Sequence, residues 1–532
     1  MTRTRSRERT TKPAVTALGK SGLSEEQQKD IVTAIQKLRD SRPAERNQNA
    51  SALARVLERH LTAAPSFVLG LNLSFYPGAI GVFDSKVKLP VTGSILLTEG
   101  IRRVIDSPEF QRLRGVRQLG PTMFVFPGAN HTRFEHLLGC YSLALRYIER
   151  LSKIPHFEDY FEPVAESTRL VVLSALLHDI GHYPYSHWIE EIDKGSIPKG
   201  YDFPRHEERA RSILCGEDSR IGRLLADQWS IDPSDIADVI ERKSAPDSLI
   251  NSFTNSIVDV DKLDYLVRDS VHCGVHYGEG IDTERFLDSL WIDPSTNKIC
   301  VTEKGKSALQ SIISCRNNMY QEVYWHKTVR AGQAMFKRFF YEYLMAGIDD
   351  LKALERYFGY ADDYFVNVLW NRSTTTRKDL GGLISPFAFR GRVLYKPAYV
   401  FYFGQQAGEP PEVRTFFRER VARANYSELV KLGESLANEL VKKIPGVTPL
   451  DVIIDRTPIR EEHERSHLEG FRTWNTKKSR WEECPPSLRT LNNYLGENQQ
   501  AYVFCNPKYY GQFRELAGSG GELARVFGRA SR

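Results

Sequence analysis

Eight successive apolar or small residues, Leu170-Val171-Val172-Leu173-Ser174-Ala175-Leu176-Leu177, run directly into His178-Asp179. A run of this kind belongs to a buried helix, so the chain delivers two adjacent polar side chains into its own interior. An aspartate placed there is costly unless something compensates it, and a divalent cation would do so. A helix C-terminus is the other solution, with the imidazole on free carbonyls and the aspartate capping the next turn. For a His-Asp pair taken alone the second solution is the better one. Gly181 follows and lets the chain turn away.

The pair is not alone. Seven of the 13 histidines lie between residues 131 and 206. Phe134-Glu135-His136 opens an amphipathic pattern upstream, and Val258-Asp259-Val260-Asp261-Lys262-Leu263-Asp264-Tyr265 lies downstream. Three helices could then bring together His136, His178, Asp179 and Asp261. Such a mixed nitrogen and oxygen set suits a first-row divalent metal (Mn, Fe, Co, Ni or Zn) and Mg less well. Its open coordination positions would hold water and an anionic substrate.

Composition narrows the class. The chain has 532 residues, 41% apolar and 26% charged, which excludes a fibrous, collagen-like or wholly disordered protein. Lys plus Arg minus Asp plus Glu is 73 − 67 = +6, which suits an anionic ligand without requiring nucleic acid. The seven cysteines form no CxxC pair, which favours a reducing, cytoplasmic setting.

Residues 1–20 read as a disordered basic tail without an apolar leader core. Residues 21–95 read as helices, opened by a Ser24 to Gln27 capping box, plus a β-hairpin over 66–92. The uncharged stretch 61–83 is long enough to span a bilayer. However, its strand-period alternation and the Tyr76-Pro77-Gly78 turn signal favour the hairpin, so no membrane span is expected. Residues 96–350 carry helical spacing, at 101–114, 135–151, 168–178 and 307–346, with strand-like pieces at 122–126 and 298–301. Residues 351–532 read as a helical and α+β lobe, with strands at 452–455 and 501–505, a helix at 507–517, and fraying from Gly518. The fold class is therefore mainly α: a helical core with small β-hairpins and an α+β C-terminal lobe.

Longer strings sharpen the reading. They include Phe110-Gln111-Arg112-Leu113-Arg114, Arg117-Gln118-Leu119-Gly120, His131-Thr132-Arg133-Phe134-Glu135-His136 and Leu177-His178-Asp179-Ile180-Gly181-His182. Pro184-Tyr185-Ser186-His187, His206-Glu207, Arg316-Asn317 and Tyr324-Trp325-His326-Lys327 follow. With the aspartate-rich string at 258–265, this order resembles the H…HD…D signature of the HD-domain phosphohydrolases, and more narrowly their dNTP triphosphohydrolase branch. The likeness is strong over about residues 87–345.

The resemblance implies that His136, His178, Asp179 and Asp261 ligate a divalent metal ion (Mn, Fe, Mg or Zn). It implies that His182, His187 and His206 face the α-phosphate of a dNTP. His187 would be the general acid to the departing 5′ oxygen, with Glu190 as its carboxylate partner where the family usually has Asp. Arg133, Lys262 and Arg316 would hold phosphate oxygens. Gln118 and Asp269 would meet the sugar 3′-hydroxyl, Tyr324 would pack against C2′ and exclude ribose, and Leu119 and Tyr265 would line the pocket. His131, His156, His272 and His276 are read as structural or surface residues. The products would be a deoxynucleoside and inorganic triphosphate. A different phosphoester (a nucleoside monophosphate, an alarmone or single-stranded nucleic acid) is the alternative, as is a nucleotide sensor without turnover.

Members of this branch are assembled into homo-oligomers by activating nucleotides, and Asp106, Gln111, Arg114 and Arg392 match the activator pattern. Asp106 and Arg114 could equally form a structural ion pair. Leu89-Pro90-Val91-Thr92-Gly93 departs from the family's Asp-Pro-Ile-His-Gly at the same site, and 24–86 do not read as a five-helix SAM module. Two strings are decoys. His463-Glu464-Arg465-Ser466-His467 matches the zincin HExxH but sits among charged neighbours. Lys477-Lys478-Ser479-Arg480-Trp481 could touch nucleic acid, though a solvated surface is favoured.

Overall fold

The computed structural model describes residues 83–530, except 156, 162–163, 244–248, 405–407, 459–470, 484 and 519–520, together with single positions between 29 and 37. The basic tail, the Ser24 to Gln27 capping box, the first part of the expected hairpin and the HExxH string lie outside the described residues.

The described chain starts with a hairpin of β1 (Phe83–Leu89) and β2 (Gly93–Thr98). Leu89 pairs with Gly93 across Pro90-Val91-Thr92, and Gly93 takes the left-handed φ of 79° that closes the turn. The helical pattern at 101–114 does not form one helix. Thr98 caps Glu99–Ile105, then Ser107 caps a new start with Pro108 in its first turn, a strong helix-initiation signal. The expected strand at 122–126 is instead a 3-10 helix, Gly120–Phe124. Gly120 enters it at φ 53°, Pro121 has no N–H for a ladder, and the Thr122 hydroxyl bonds back to the Leu119 carbonyl.

Four helices carry the core: α1 (Arg133–Leu151), α2 (Val164–Leu177), α3 (His206–Cys215) and α4 (Val260–Cys273). Their apolar faces share one hydrophobic cluster with the hairpin, with β3 (Leu290–Asp293) and β4 (Lys298–Thr302), and with α5 (Lys306–Met319). A second cluster joins the 183–203 segment to α6 (Lys327–Met345), α7 (Tyr426–Leu440) and α8 (Glu522–Ala530). It also takes in β5 (Lys396–Tyr402), β6 (Val452–Arg456) and β9 (Gln500–Cys505), an antiparallel sheet ordered β5-β9-β6. Between β6 and β9 in sequence, β7 (Arg472–Asn475) and β8 (Arg480–Glu483) extend the β3-β4 pair, with β4 and β7 parallel.

Two further expectations are corrected. Residues 307–346 are interrupted by a π-helical turn, Tyr320–Tyr324, and restart at Lys327, where the His326 ring caps Thr328 N–H. Among the described residues beyond Gly518, α8 forms a helix that buries Leu523, Val526 and Phe527 in place of the expected fraying. Lys477 to Ser479 lie in the turn between β7 and β8, and Arg480 and Trp481 open β8. No helix among the described residues is long and apolar enough to cross a membrane. The six described cysteines are free.

Candidate metal centre and catalytic cleft

His136 lies one turn into α1, fully buried. His178 and Asp179 follow α2, whose buried Val171 to Leu177 face delivers them as the apolar run requires. Asp261 sits in the first turn of α4, after Asp259 caps that helix by accepting the Lys262 N–H at 2.8 Å. His136 Nε2 is 3.1 Å from Asp261 Oδ1, and His178 Nε2 is 3.6 Å from the same oxygen. Asp179 places Oδ2 3.6 Å from His136 Nε2 and Oδ1 3.6 Å from His178 Nε2. Ligand atoms of His136, Cys140, His178 and Asp261 all lie within 4.8 Å of one another.

The donor set fits a divalent cation. His178 Nδ1 faces the Ala175 carbonyl at 3.0 Å, which makes Nε2 the bare nitrogen, and that buried atom has no hydrogen-bond partner. His136 Nδ1 is held by Asp264 Oδ2 at 2.9 Å, so its Nε2 likewise faces the cluster. A carboxylate or carbonyl behind each imidazole fixes the tautomer a metal requires. Arg268 holds Asp264 through two bonds, at 2.7 and 2.8 Å. Gly139 permits this approach, because a Cβ there would overlap Asp264 and the Arg268 guanidinium. Burial opposes charge on His136, but Cys140, Asp261 and Asp264 outweigh it and raise its pKa well above the ordinary value.

Asp179 also ion-pairs with Arg133. Burial would raise its carboxyl, yet Arg133, His178 and His182 hold it well below the usual range. Arg133 Nε donates to Ser186 Oγ at 3.1 Å, so one guanidinium ties the metal end to the loop carrying His187. That loop is strained: Tyr185 and Ser186 both have left-handed φ, 61° and 58°. Asp362 holds it by accepting the Tyr185 N–H at 2.9 Å.

The second cluster is His182, His187, Glu190 and His206. The rings of His182 and His206 stack at 4.0 Å, and His187 meets His182 edge-on at 4.6 Å. Glu190 accepts from the His206 backbone N–H at 2.9 Å and meets Nδ1 of His206 and of His187 at 3.1 and 3.2 Å. Burial works against its charge, but these two imidazoles hold it well below the carboxylate range. Burial, then Arg133 and His206, push the His182 pKa well below its ordinary value, so that ring is neutral. Gly181 brings α3 in by close approach rather than by a left-handed turn. A Cβ there would overlap the His206 carbonyl and lie 2.6 Å from Ala210 N.

At the far end, Asp269 meets His131 Nε2 at 2.7 Å and accepts from the Tyr324 hydroxyl at 2.7 Å. The π-helical turn presents Tyr324 there, with Tyr265 6.4 Å away, ring to ring. The Arg316 guanidinium lies 5.6 Å over Tyr320, in the same turn. Gln118 is buried with an unpartnered side-chain oxygen, and Leu119 packs on the first core cluster. Lys262 is turned onto Asp259 at 2.6 Å.

Of the activator candidates, Arg114 bonds Gln111 at 2.8 Å and stacks on Phe134, while Asp106 ends the Glu99–Ile105 helix. Arg392 bonds the Phe124 carbonyl at 3.0 Å. Sequence reasoning missed Cys140, Asp264 and His131. Asp264 was findable, since it lies one turn after Asp261 on the same helix face. His131 and Cys140 carried no signal that marks them as site neighbours.

The HD domain family model matches residues 133–269, and the HD associated region model matches 281–519. An uncharacterized protein of Methanocaldococcus jannaschii is 38% identical over 246 residues, 46% of each chain. The deoxynucleoside triphosphate triphosphohydrolase SAMHD1 of Homo sapiens is 32% identical over 267 residues, 45% of this chain and 41% of that protein. The chain thus spans about half the length of the curated relatives it matches. A crystal structure of a hypothetical protein from Aquifex aeolicus superposes with a TM-score of 0.59 at 23% identity, covering 81% of this chain and 99% of that one. A phosphohydrolase from Bacteroides thetaiotaomicron gives 0.56 at 21% identity, with 80% and 100% covered. The matched HD region opens at Arg133 and closes at Asp269, the two ends of the cleft described above, so the chain carries an HD domain followed by an HD associated region.

Proposed function

We propose that this protein is a divalent-metal-dependent phosphohydrolase that cleaves dNTPs to deoxynucleoside and inorganic triphosphate by attack at the α-phosphate. One observation carries the reading: beside the His136, His178, Asp179 and Asp261 cluster, the buried atoms His178 Nε2 and His182 Nδ1 have no hydrogen-bond partner. Buried polar atoms without partners are expected where a ligand supplies the partner. The names of the SAMHD1 relatives supply the substrate class.

His136, His178, Asp179 and Asp261 would hold the cation. When bound, it supplies positive charge against the phosphoryl oxygens and an acidified water. Arg133 and Lys262, now paired with Asp179 and Asp259, exchange those partners in part for phosphate oxygens, and Arg316 adds a third cation. His187, oriented through Nδ1 by Glu190, gives its proton to the departing 5′ oxygen. His182 and His206 face the same phosphate. Gln118 and Asp269 take the 3′-hydroxyl. The Tyr324 ring, pinned to Asp269, leaves no room for a 2′-hydroxyl, with Leu119 and Tyr265 completing the wall. Asp106, Gln111, Arg114 and Arg392 are the proposed contacts of an activating nucleotide in a homo-oligomer.

The test is a product assay with each dNTP and with GTP, in Mn and in Mg, beside Asp179→Ala. Deoxynucleoside plus triphosphate, absent in the variant, is the expected result. Release of phosphate or of nucleoside monophosphate would move the activity to another phosphoester. Turnover of a dNTP mixture but of no single dNTP would establish activation by nucleotide.

A further inference from the structure

A general acid needs one titrating imidazole and one group to orient it, and His187 with Glu190 suffices. The cleft holds more than that. His182, His187, Glu190 and His206 each offer a ligand atom within 4.8 Å of the other three. His182 is fully buried, its Nδ1 has no hydrogen-bond partner, and its Nε2 lies 3.0 Å from Asp179 Oδ1. An imidazole packed in this way is costly unless something fills its lone pair. Three imidazoles and one carboxylate are also a different donor class from the first cluster. They match zinc, which is held tetrahedrally by nitrogen-rich sets, better than magnesium or manganese, which prefer oxygen.

We propose that these four residues form a second metal site that takes zinc and, when filled, shuts the reaction down. Zinc there occupies the His187 and His206 nitrogens and the Glu190 carboxylate, so no imidazole remains to protonate the leaving oxygen. The inhibitory role rests on the hydrolase reading above, whereas the site itself does not. Asp179 lies 3.0 Å from His182, so the two metal sites would be neighbours across one carboxylate.

The experiment uses the full chain stripped with chelator and titrated with zinc against a chromophoric zinc indicator, with folding followed by circular dichroism. The expected result is two equivalents of zinc for the unmodified chain. His187→Ala, whose side chain is 56% exposed and whose loss leaves the core intact, loses one equivalent or at least a hundredfold in its affinity. His178→Ala loses the other. His463→Ala, in the HExxH string, keeps both. A single equivalent in the unmodified chain, or a second that disappears with His463→Ala instead, overturns the site. A second arm adds zinc to manganese-loaded enzyme turning over dNTP. Loss of turnover that tracks the His187-dependent equivalent supports the inhibitory role, and unchanged turnover at full zinc occupancy overturns it. If no nucleotide is hydrolysed at all, the hydrolase reading fails while the zinc count still decides the site.

Discussion

Two clusters of buried charge lie within this protein, and they are resolved in opposite ways. In the second core, Arg330 meets both oxygens of Asp455 at 2.8 Å, and Lys337 bridges Asp455 and Glu191 at 2.9 and 2.8 Å. Gln333 and the Arg456 carbonyl take up remaining Arg330 donors at 2.7 Å. Two cations face two carboxylates and the network closes on itself. In the cleft, Arg133 is likewise paired with Asp179, but His178 Nε2, His182 Nδ1 and Gln118 Oε1 are left open. The closed network joins α6 to β6 and to the residue after Glu190, and so holds the lobe against the cleft. Burial of polar groups is the same in both; completeness of partnering is what separates them.

The largest effect is expected from breaking the closed network. Asp455→Ala leaves Arg330 and Lys337 buried with too little negative charge and should cost about 3–5 kcal/mol of folding stability, read by denaturant unfolding. A cost below about 1 kcal/mol, the level of an exposed pair, would mean that the network is not closed in the sense argued.

Next comes acid lability. Burial opposes the Glu191 charge, but Lys337 and Arg330 lower its pKa from 4.5 to about 2. A depressed carboxyl contributes stability that is fully present above the unfolded value and is lost as pH falls through the folded one. About 3 kcal/mol should therefore disappear between roughly pH 4.5 and 2, from the pKa difference at about 1.4 kcal/mol per unit. Glu191→Gln should flatten that limb of the stability–pH curve. An unchanged limb would place the acid-sensitive group elsewhere.

How much of this was legible follows from where the information resides. The run 170–177 and the placement of His178 and Asp179 are local, because periodicity fixes which face is buried. The strands at 452–455 and 501–505 were also readable from their β-branched and aromatic runs. What failed depends on punctuation or on partners distant in sequence. Ser107-Pro108 restarts a helix within an unbroken apolar pattern, and Pro121 turns a strand-like stretch into a 3-10 helix. Strands β5 and β7 are fixed by pairing with β9 and β4, which no local window contains. In the candidate site, the gathering of His136, His178, Asp179 and Asp261 was legible from the HD strings, but the His131 contact with Asp269 spans 138 residues. Glu190 bonding two histidines at once is likewise visible only in three dimensions.

His178→Ala tests the open cluster. With chelator present, it should change stability by no more than about 2 kcal/mol, because the side chain is partly exposed and Nε2 makes no bond to lose. With metal present at about a hundredfold above Kd, the unmodified chain should gain about 2.7 kcal/mol that the variant does not. An equal gain in both would remove His178 from the ligand set.

The smallest effect sharpens the comparison, because it concerns a residue that is partnered on one ring nitrogen and open on the other. His131 faces Asp269 with Nε2, stacks on His272 at 4.3 Å, and leaves Nδ1 buried and unpartnered. Nε2 must therefore carry the proton if it is to donate to the carboxylate, and its role would be to fix the carboxylate that also receives the Tyr324 hydroxyl. His131→Phe keeps the ring and the stack and deletes the donor. Folding stability should move by less than about 1 kcal/mol, since an orphaned nitrogen is removed along with the bond. If Asp269 meets the sugar, KM for a dNTP should rise about tenfold, equivalent to about 1.4 kcal/mol, with kcat within a few-fold. Selectivity for dNTP over rNTP should fall with it, as Tyr324 loses its fixed anchor. An unchanged KM with a reduced kcat would instead assign His131 to the chemical step, and the Asp269 end of the cleft would then belong to catalysis rather than to recognition of the sugar.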